Sequence, residues 1–274
     1  MAMLTQGGAA TAISVPQKVV QPPAKSGLPD WDSAHLRLAI EAAGVALWSR
    51  DAGAIRNTAV IVGESYGVDV FAAPRDVTDP SAVEAFAAEA LRRFGEVHIL
   101  FANAGGPPPG IVQDFAPEDF RKALELNLLS TIGLVHAFLP AMTRGGWGRI
   151  IASTSITVKQ PAPNLALPNV SRVGVVAYMK TLAGELASHN ITCNTVAPGY
   201  ILTDRVEGLI AGMMEKSKMA YEEARRSITA GIPAGRIGSP EEFGSLVAFL
   251  ASERAAYITG ETILIDGGAY RGLM

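Results

Sequence analysis

From about residue 32, short apolar, β-branched runs alternate with longer stretches in which apolar positions recur every three or four residues. The short runs are "GVALWS" (44–49), "VDVFAAPRDV" (68–77), "VHILFANAGG" (97–106), "GRIIASTSI" (148–156), "ITCNTVAPG" (191–199) and "TILIDGG" (262–268). Each ends in Gly, Pro, Asp or Ser or runs into one, which predicts strands. Helical periodicity predicts helices over 33–43, 54–66, 80–94, 117–142, 168–189 and 240–252. Two of these carry clear start signals. Asp79 caps a helix with Pro80 in its first turn, Arg92 and Arg93 fall in its last turn, and Gly95 ends it; Ser239 and Pro240 repeat the start.

Strands alternating with helices predict a parallel sheet covered on both faces. Right-handed crossovers then give an α/β, doubly wound, Rossmann-like fold in a single domain. Ligands in such a sheet bind outside the carboxyl ends of the strands. "FANAGG", "ASTSI" and "APGYILTD" therefore face one crevice. Residues 200–235 depart from the pattern as a Met-rich helical insertion, read as a lid over about 203–232. Met213, Met214 and Met219 either face an apolar substrate or pack the lid against the body, and packing is the favoured role.

The chain has 274 residues, 49% of them hydrophobic, and a net charge of −3. That suffices for one large core and leaves no basic footprint for nucleic acid. The single cysteine, Cys193, sits among apolar neighbours, which suits core packing and a reducing compartment. The best apolar run, 128–142, is too short for a membrane span and contains Ser, Thr and His. No secretory signal is visible. A cytoplasmic protein without membrane association, nucleic-acid partner or metal site is expected.

"DVTDPSAVEAF", "ILFANAGG", "LELNLLSTIGLVHAFLPAM", "GRIIASTS", "KTLAGELASHNITCNTVAPGYILTD" and "GRIGSPEEFGSLVAFLASERAAYITGETILIDGG", in this order, resemble the short-chain dehydrogenase/reductase family over roughly residues 44–268. The resemblance implies hydride transfer between a nicotinamide cofactor and a carbonyl or secondary alcohol. It sets Asp76 and Val77 at the adenine, and Asn103, Ala104 and Gly105 in the turn beside the cofactor. Asn127 takes the place of the Asn that holds a water, and Ser155 that of the Ser that polarises the substrate oxygen. Pro198, Gly199, Ile201 and Thr203 bracket the nicotinamide and its phosphate. Ser49 and Arg50 end the second strand, where Arg accommodates a 2′-phosphate and so favours NADP over NAD. A homo-dimer or tetramer is implied as well, with contacts through 117–142, 168–189 and the C-terminal "DGGAYRGLM".

Two departures matter. The family's acid–base pair is Tyr followed four residues later by Lys; this chain has Pro168 and Arg172. Pro does not titrate, and Arg stays protonated, so Arg172 can hold a hydroxyl, carboxylate or halide but cannot replace the Tyr acid. Tyr178 and Lys180, two residues apart, lie on different helix faces and are no displaced pair. The glycine-rich phosphate loop should fall near 24–31, where "AKSGLPDW" offers only Gly27, with Pro29 and Trp31 opposing the backbone approach. Pro22 and Pro23 sit where a central strand needs N–H donors. Residues 1–31 thus read as an irregular segment before a domain over 32–274, with the first strand irregular or missing. The segment is irregular, blocks the phosphate site, or reflects an altered reading frame upstream.

Three functions stand open. The first is an oxidoreductase with an atypical site: Ser155 polarises the carbonyl, Arg172 orients cofactor or substrate, and a water held by Asn127 delivers the proton. Its substrate is a small molecule, apolar, with a carbonyl or anionic group. The second is cofactor-free chemistry of dehalogenase or lyase type on the same fold. The third is a non-catalytic binding subunit.

Overall fold

The computed structural model describes the backbone of residues 10–14 and, with side chains, residues 44–273. The helix expected over 33–43 and the segment around Gly27, Pro29 and Trp31 lie outside the described residues.

Seven strands form one sheet in the order β3-β2-β1-β4-β5-β6-β7: β1 (Ala10–Ser14), β2 (Gly44–Ser49), β3 (Val70–Pro74), β4 (Ile99–Ala102), β5 (Gly148–Ser153), β6 (Ile191–Pro198) and β7 (Thr262–Ile265). All neighbouring pairs are parallel except those made by β1, which runs antiparallel to both β2 and β4. Ala10 sits opposite Trp48 and Ser14 opposite Gly44, with Thr11 opposite Phe101 on the other edge. The first strand is irregular in that sense: it fills the central slot in the opposite direction. The slot needs donors and acceptors along both edges, and a strand of either direction supplies them.

Period-two alternation along the strands builds the two faces. Ala46 and Trp48 of β2, Ile150 and Ala152 of β5, and Ile191 and Cys193 of β6 all join the larger core layer. On the opposite face, Ile151 and Val196 pack with Phe101, Phe243 and Leu250, while Val45 and Leu47 pack with Ile55 and Val62. Trp48 meets Phe86 edge-on at 4.7 Å between ring centroids, and Phe71 stacks on Phe86 at 5.3 Å. Such pairs add roughly 0.5–1.5 kcal/mol each beyond area burial.

The helices are α1 (Ala52–Tyr66), α2 (Pro80–Phe94), α3 (Pro117–Leu124), α4 (Ser130–Gly145), α5 (Ala166–Leu186), α6 (Asp204–Ser217), α7 (Tyr221–Thr229) and α8 (Pro240–Ala251). Asp79 caps α2 as expected, its Oδ1 accepting from the N–H groups of Ser81 at 2.9 Å and Ala82 at 3.3 Å. Ser239 and Glu242 close a reciprocal capping box at α8.

The single helix expected over 117–142 is two, α3 and α4, joined through a π-turn at Glu125–Leu129. By length and composition this 29-residue helical stretch could cross a membrane. In the fold, Leu134, Val135, Phe138 and Met142 of α4 are buried against the sheet. The insertion after β6 folds α6 and α7 around a small core of its own, Val206, Ile210, Ala224, Ile228, Ile232 and Ile237. Met213, Met214 and Met219 pack against that cluster.

Candidate active site

The carboxyl ends of β4, β5 and β6 open toward the first turns of α5 and α6. After β4 the chain turns through Asn103–Gly106. Asn103 is half-buried, and its side-chain amide makes no hydrogen bond to the described residues. Gly105 is held from below. The Nδ2 of Asn127 donates to the Gly105 carbonyl at 2.9 Å, and the Oδ1 of Asn127 accepts from Ser171 Oγ at 2.8 Å. Asn127 is buried and lies on the π-turn, a helical distortion that recurs at functional sites. The extra residue of that turn lets Asn127 bridge the β4 turn and α5, while its own carbonyl accepts from Thr131 Oγ1.

β5 ends at Ser153, and Thr154 is locked to β6 by its N–H, 2.8 Å from the Val196 carbonyl. Ser155 follows in extended conformation (φ −165°, ψ 155°) and caps a short 3₁₀ turn. Its Oγ accepts from the Thr157 N–H at 3.2 Å. The hydroxyl proton has no acceptor among the described residues.

α5 begins two residues before Pro168. The first i→i−4 bond is Asn169 N–H to the Leu165 carbonyl at 2.9 Å, so Pro168 sits in the first turn, where an N–H would have no helical acceptor. Pro168 is buried and brings no titratable group. One turn on, Arg172 is half-buried and its Nη1 donates to the Thr154 carbonyl. Burial, then the charge of Arg205, push its guanidinium down to about 10, so it remains a cation at neutral pH. No described carboxylate pairs with it. Tyr178 and Lys180 play no part here: Tyr178 is pushed up to about 12 by burial, and Lys180 meets Glu261 at 3.6 Å. Burial also pushes the Cys193 thiol up to about 12, so it stays protonated in the core.

After β6, Pro198 and Gly199 pass close to the β7 end. A Cβ at Gly199 would lie 2.9 Å from the Asp266 side chain, so glycine is required for that approach. Ile201 is buried, and Thr203 precedes α6 without capping it through its side chain. At the far end of the crevice Ser49 is buried and Arg50 exposed. Asp51 is committed as the α1 cap, its Oδ1 accepting from Gly53 and Ala54 N–H groups at 2.8 Å each. Arg75 joins Arg50, its N–H bonded to the Ser49 carbonyl at 3.0 Å. Asp76 Oδ1 accepts twice from Thr78 while Oδ2 takes no described bond, and Val77 is buried beside it.

The structure thus brings Asn103, Ala104, Gly105, Asn127, Ser155 and Arg172 together at the centre of the strand ends, with Asp76, Val77, Ser49 and Arg50 toward β2 and β3. The unspent Asn103 amide, Asp76 Oδ2 and Thr203 hydroxyl fit a dinucleotide laid along this edge; the phosphate-loop segment lies outside the described residues. Three participants were missed from the pattern. Ser171 stands beside Arg172, four residues after Leu167 and on the Asn127 side. Arg205 directly follows the "LTD" that carries Thr203. Arg75 ends β3 beside Asp76. Adjacency to matched residues was the available signal for each. Among the described residues no group of three His, Cys, Asp or Glu could hold a metal ion.

Residues 33–270 match the family described as enoyl-(acyl carrier protein) reductase. The chain is 36% identical over 214 residues to the 3-oxoacyl-(acyl-carrier-protein) reductase of Escherichia coli (strain K12), covering 78% of this chain and 83% of that one. It is 34% identical to the L-rhamnose 1-dehydrogenase (NAD(P)(+)) of Sphingomonas sp. (strain SKA58) over 77% of this chain and 80% of that one. Among solved structures, L-sorbose reductase from Gluconobacter frateurii complexed with NADPH and L-sorbose superposes with a TM-score of 0.81 at 29% identity, covering 84% of this chain and 88% of that one. NAD+-bound xylitol dehydrogenase does so at 0.77 and 28%, covering 85% and 92%.

Proposed function

The chain belongs to the short-chain dehydrogenase/reductase family, and from that premise we propose a reductase of carbonyl compounds, or dehydrogenase of the matching secondary alcohols, that uses NADP(H) in preference to NAD(H). The nicotinamide, when bound, supplies or accepts the hydride. Ser155 donates a hydrogen bond to the substrate oxygen, because its hydroxyl accepts from the Thr157 N–H and its own proton has no acceptor among the described residues. Arg172, held at Thr154, places a permanent positive charge where oxyanion character develops. Asn127 retains one N–H and one lone pair after its two bonds, enough to hold a water that delivers the proton. Without the Tyr acid, turnover is expected to fall about 10²–10⁴-fold below a complete site. Arg50 and Arg75, with Asp51 engaged as a cap, favour a 2′-phosphate over a bare ribose. We place the protein in the cytoplasm as a homo-dimer or tetramer.

The observation that carries this reading is the juxtaposition, just past the carboxyl end of β5, of the donor Ser155 and the cation Arg172, which reaches from α5 to the Thr154 carbonyl. Titration with NADPH and NADH, followed by nicotinamide fluorescence, tests it. Micromolar binding, tighter for NADPH, is expected, followed by slow NADPH oxidation with ketone substrates. Absence of binding at millimolar cofactor overturns it. One observation favours a second reading. Buried Pro168 in place of the acid suits a non-catalytic binding subunit; a cofactor-free dehalogenase fits Ser155 and Arg172 but not Pro168, and halide release from a vicinal haloalcohol without cofactor would identify it.

A further inference from the structure

Two arginines flank the Asn103–Gly106 turn, Arg205 against Gly106 itself and Arg172 next to Ser171, which holds Asn127 under Gly105. Arg172 approaches from α5, tied to the Thr154 carbonyl one residue before Ser155. Arg205 approaches from the first turn of α6 and lies flat against Gly106: a Cβ there would stand 2.6 Å from Nη1 and 2.9 Å from both Cζ and Nη2. A side chain at position 106 would displace the guanidinium from that contact. The two charges oppose one another, and neither meets a carboxylate among the described residues. Asp204 is exposed beside Arg205 and forms no ion pair with either. Thr203 leaves the start of α6 without a side-chain cap, and the carboxylates of Asp204 and Glu207 in its first turn already offset the positive end of the helix, so the positive charge there rests on the two arginines.

Arg172 is half-buried and Arg205 exposed, so the cost falls on Arg172, whose charge loses solvent and meets a second cation; an anion bound between them would offset it. Guanidinium forks match carboxylate and phosphate oxygens in pairs. We propose that Arg172 and Arg205 clamp an oxyanion group, carboxylate or phosphate, of the molecule that occupies the crevice beside Ser155. The ligand's identity as substrate rests on the oxidoreductase reading; the clamp itself does not. In that reading, the substrate is a carbonyl compound with a carboxylate or phosphate a few bonds from the reacting carbon. That distance suits a negative charge gripped at α6 while the carbonyl reaches Ser155.

The test uses the whole protein without cofactor. Thermal unfolding is followed against inorganic phosphate and oxalate, with chloride at matched ionic strength. A saturable rise of roughly 3–6 °C is expected at ten times the dissociation constant. R205Q, at an exposed position, and R172Q should each weaken the apparent affinity about tenfold. Repeating the titration in saturating NADPH separates the sources. A surviving phosphate response assigns the clamp to the substrate's anion, and an abolished one assigns it to a cofactor phosphate. Shifts no larger than those of chloride, or unchanged in both variants, overturn the clamp. Absence of NADPH binding with an intact phosphate response would sink the oxidoreductase reading and leave the clamp standing.

Discussion

β5 carries an arginine at each end of its surroundings, and the two are treated oppositely. At its start, Arg149 is fully buried and surrounded by partners from its own chain, although its Nη2 makes no hydrogen bond. Its guanidinium covers the Trp147 ring at 4.2 Å, Nη1 donates to the Gly148 and Asn190 carbonyls at 2.8 and 3.2 Å, and Nη2 meets Glu253 at 3.6 Å. At the other end Arg172 has one carbonyl, no described carboxylate and a second arginine in front of it. The amino end of the strand pairs its arginine with a carboxylate of the chain, and the carboxyl end does not. The first arrangement stabilises the fold, and the second waits for a ligand, at the edge where open α/β sheets bind theirs.

The largest test of this contrast is Arg149→Met. Removing a cation that serves two buried carbonyls should cost about 3 kcal/mol. That corresponds to a fall in Tm of roughly 6–12 °C, read by calorimetry, with the phosphate response retained. A variant as stable as the parent would mean that the two arginines do not differ in kind. Next, Ser155→Ala should lower kcat/KM about 10²-fold, equivalent to about 2.7 kcal/mol, while leaving Tm nearly unchanged; steady-state kinetics on the best ketone decides it.

Ser171→Ala reaches between the two ends, because Ser171 is buried and holds Asn127. It should cost about 1 kcal/mol in denaturant unfolding. The smallest effect belongs to a third arginine, partnered but exposed. Arg236 meets Glu242 at 2.6 Å, and this contact, with the Ser239 N–H, holds the Glu242 carboxyl at about 2, below its ordinary value of 4.5. The contribution is present above about pH 4.5 and is lost as the pH falls through 2. Glu242→Gln should therefore cost less than about 1 kcal/mol at neutral pH. It should also flatten the acid limb of the stability curve, as measured by urea titrations between neutral and acidic pH.

Much of the frame was legible because its causes are local. Asp79 and Ser239 announce helices since a short polar side chain satisfies N–H groups two and three residues on. Short apolar runs such as "GVALWS" and "GRIIAS" mark strands, since a strand covered on both faces is apolar along its whole length. The division of α3 from α4 was not legible. The π-turn at Glu125–Leu129 is maintained by bonds from Asn127 to Gly105 and Ser171, 22 and 44 residues away. The direction of β1 was equally hidden, because either direction satisfies its neighbours.

The same division holds for the site. Local pattern and residue type determined the order of strands and helices, the edge where a ligand would lie, and the chemistry of single positions: a hydroxyl at Ser155, no acid at Pro168, a permanent cation at Arg172. Tertiary structure alone decided which of these meet. The hydroxyl of Ser155 is left free to donate because no acceptor of the described residues reaches it, and the guanidinium of Arg205 lies against Gly106, close enough for its charge to act on Arg172. Residue identity sets what a group can donate or accept, whereas only the packed fold sets whether its partner lies within the chain or must come from outside.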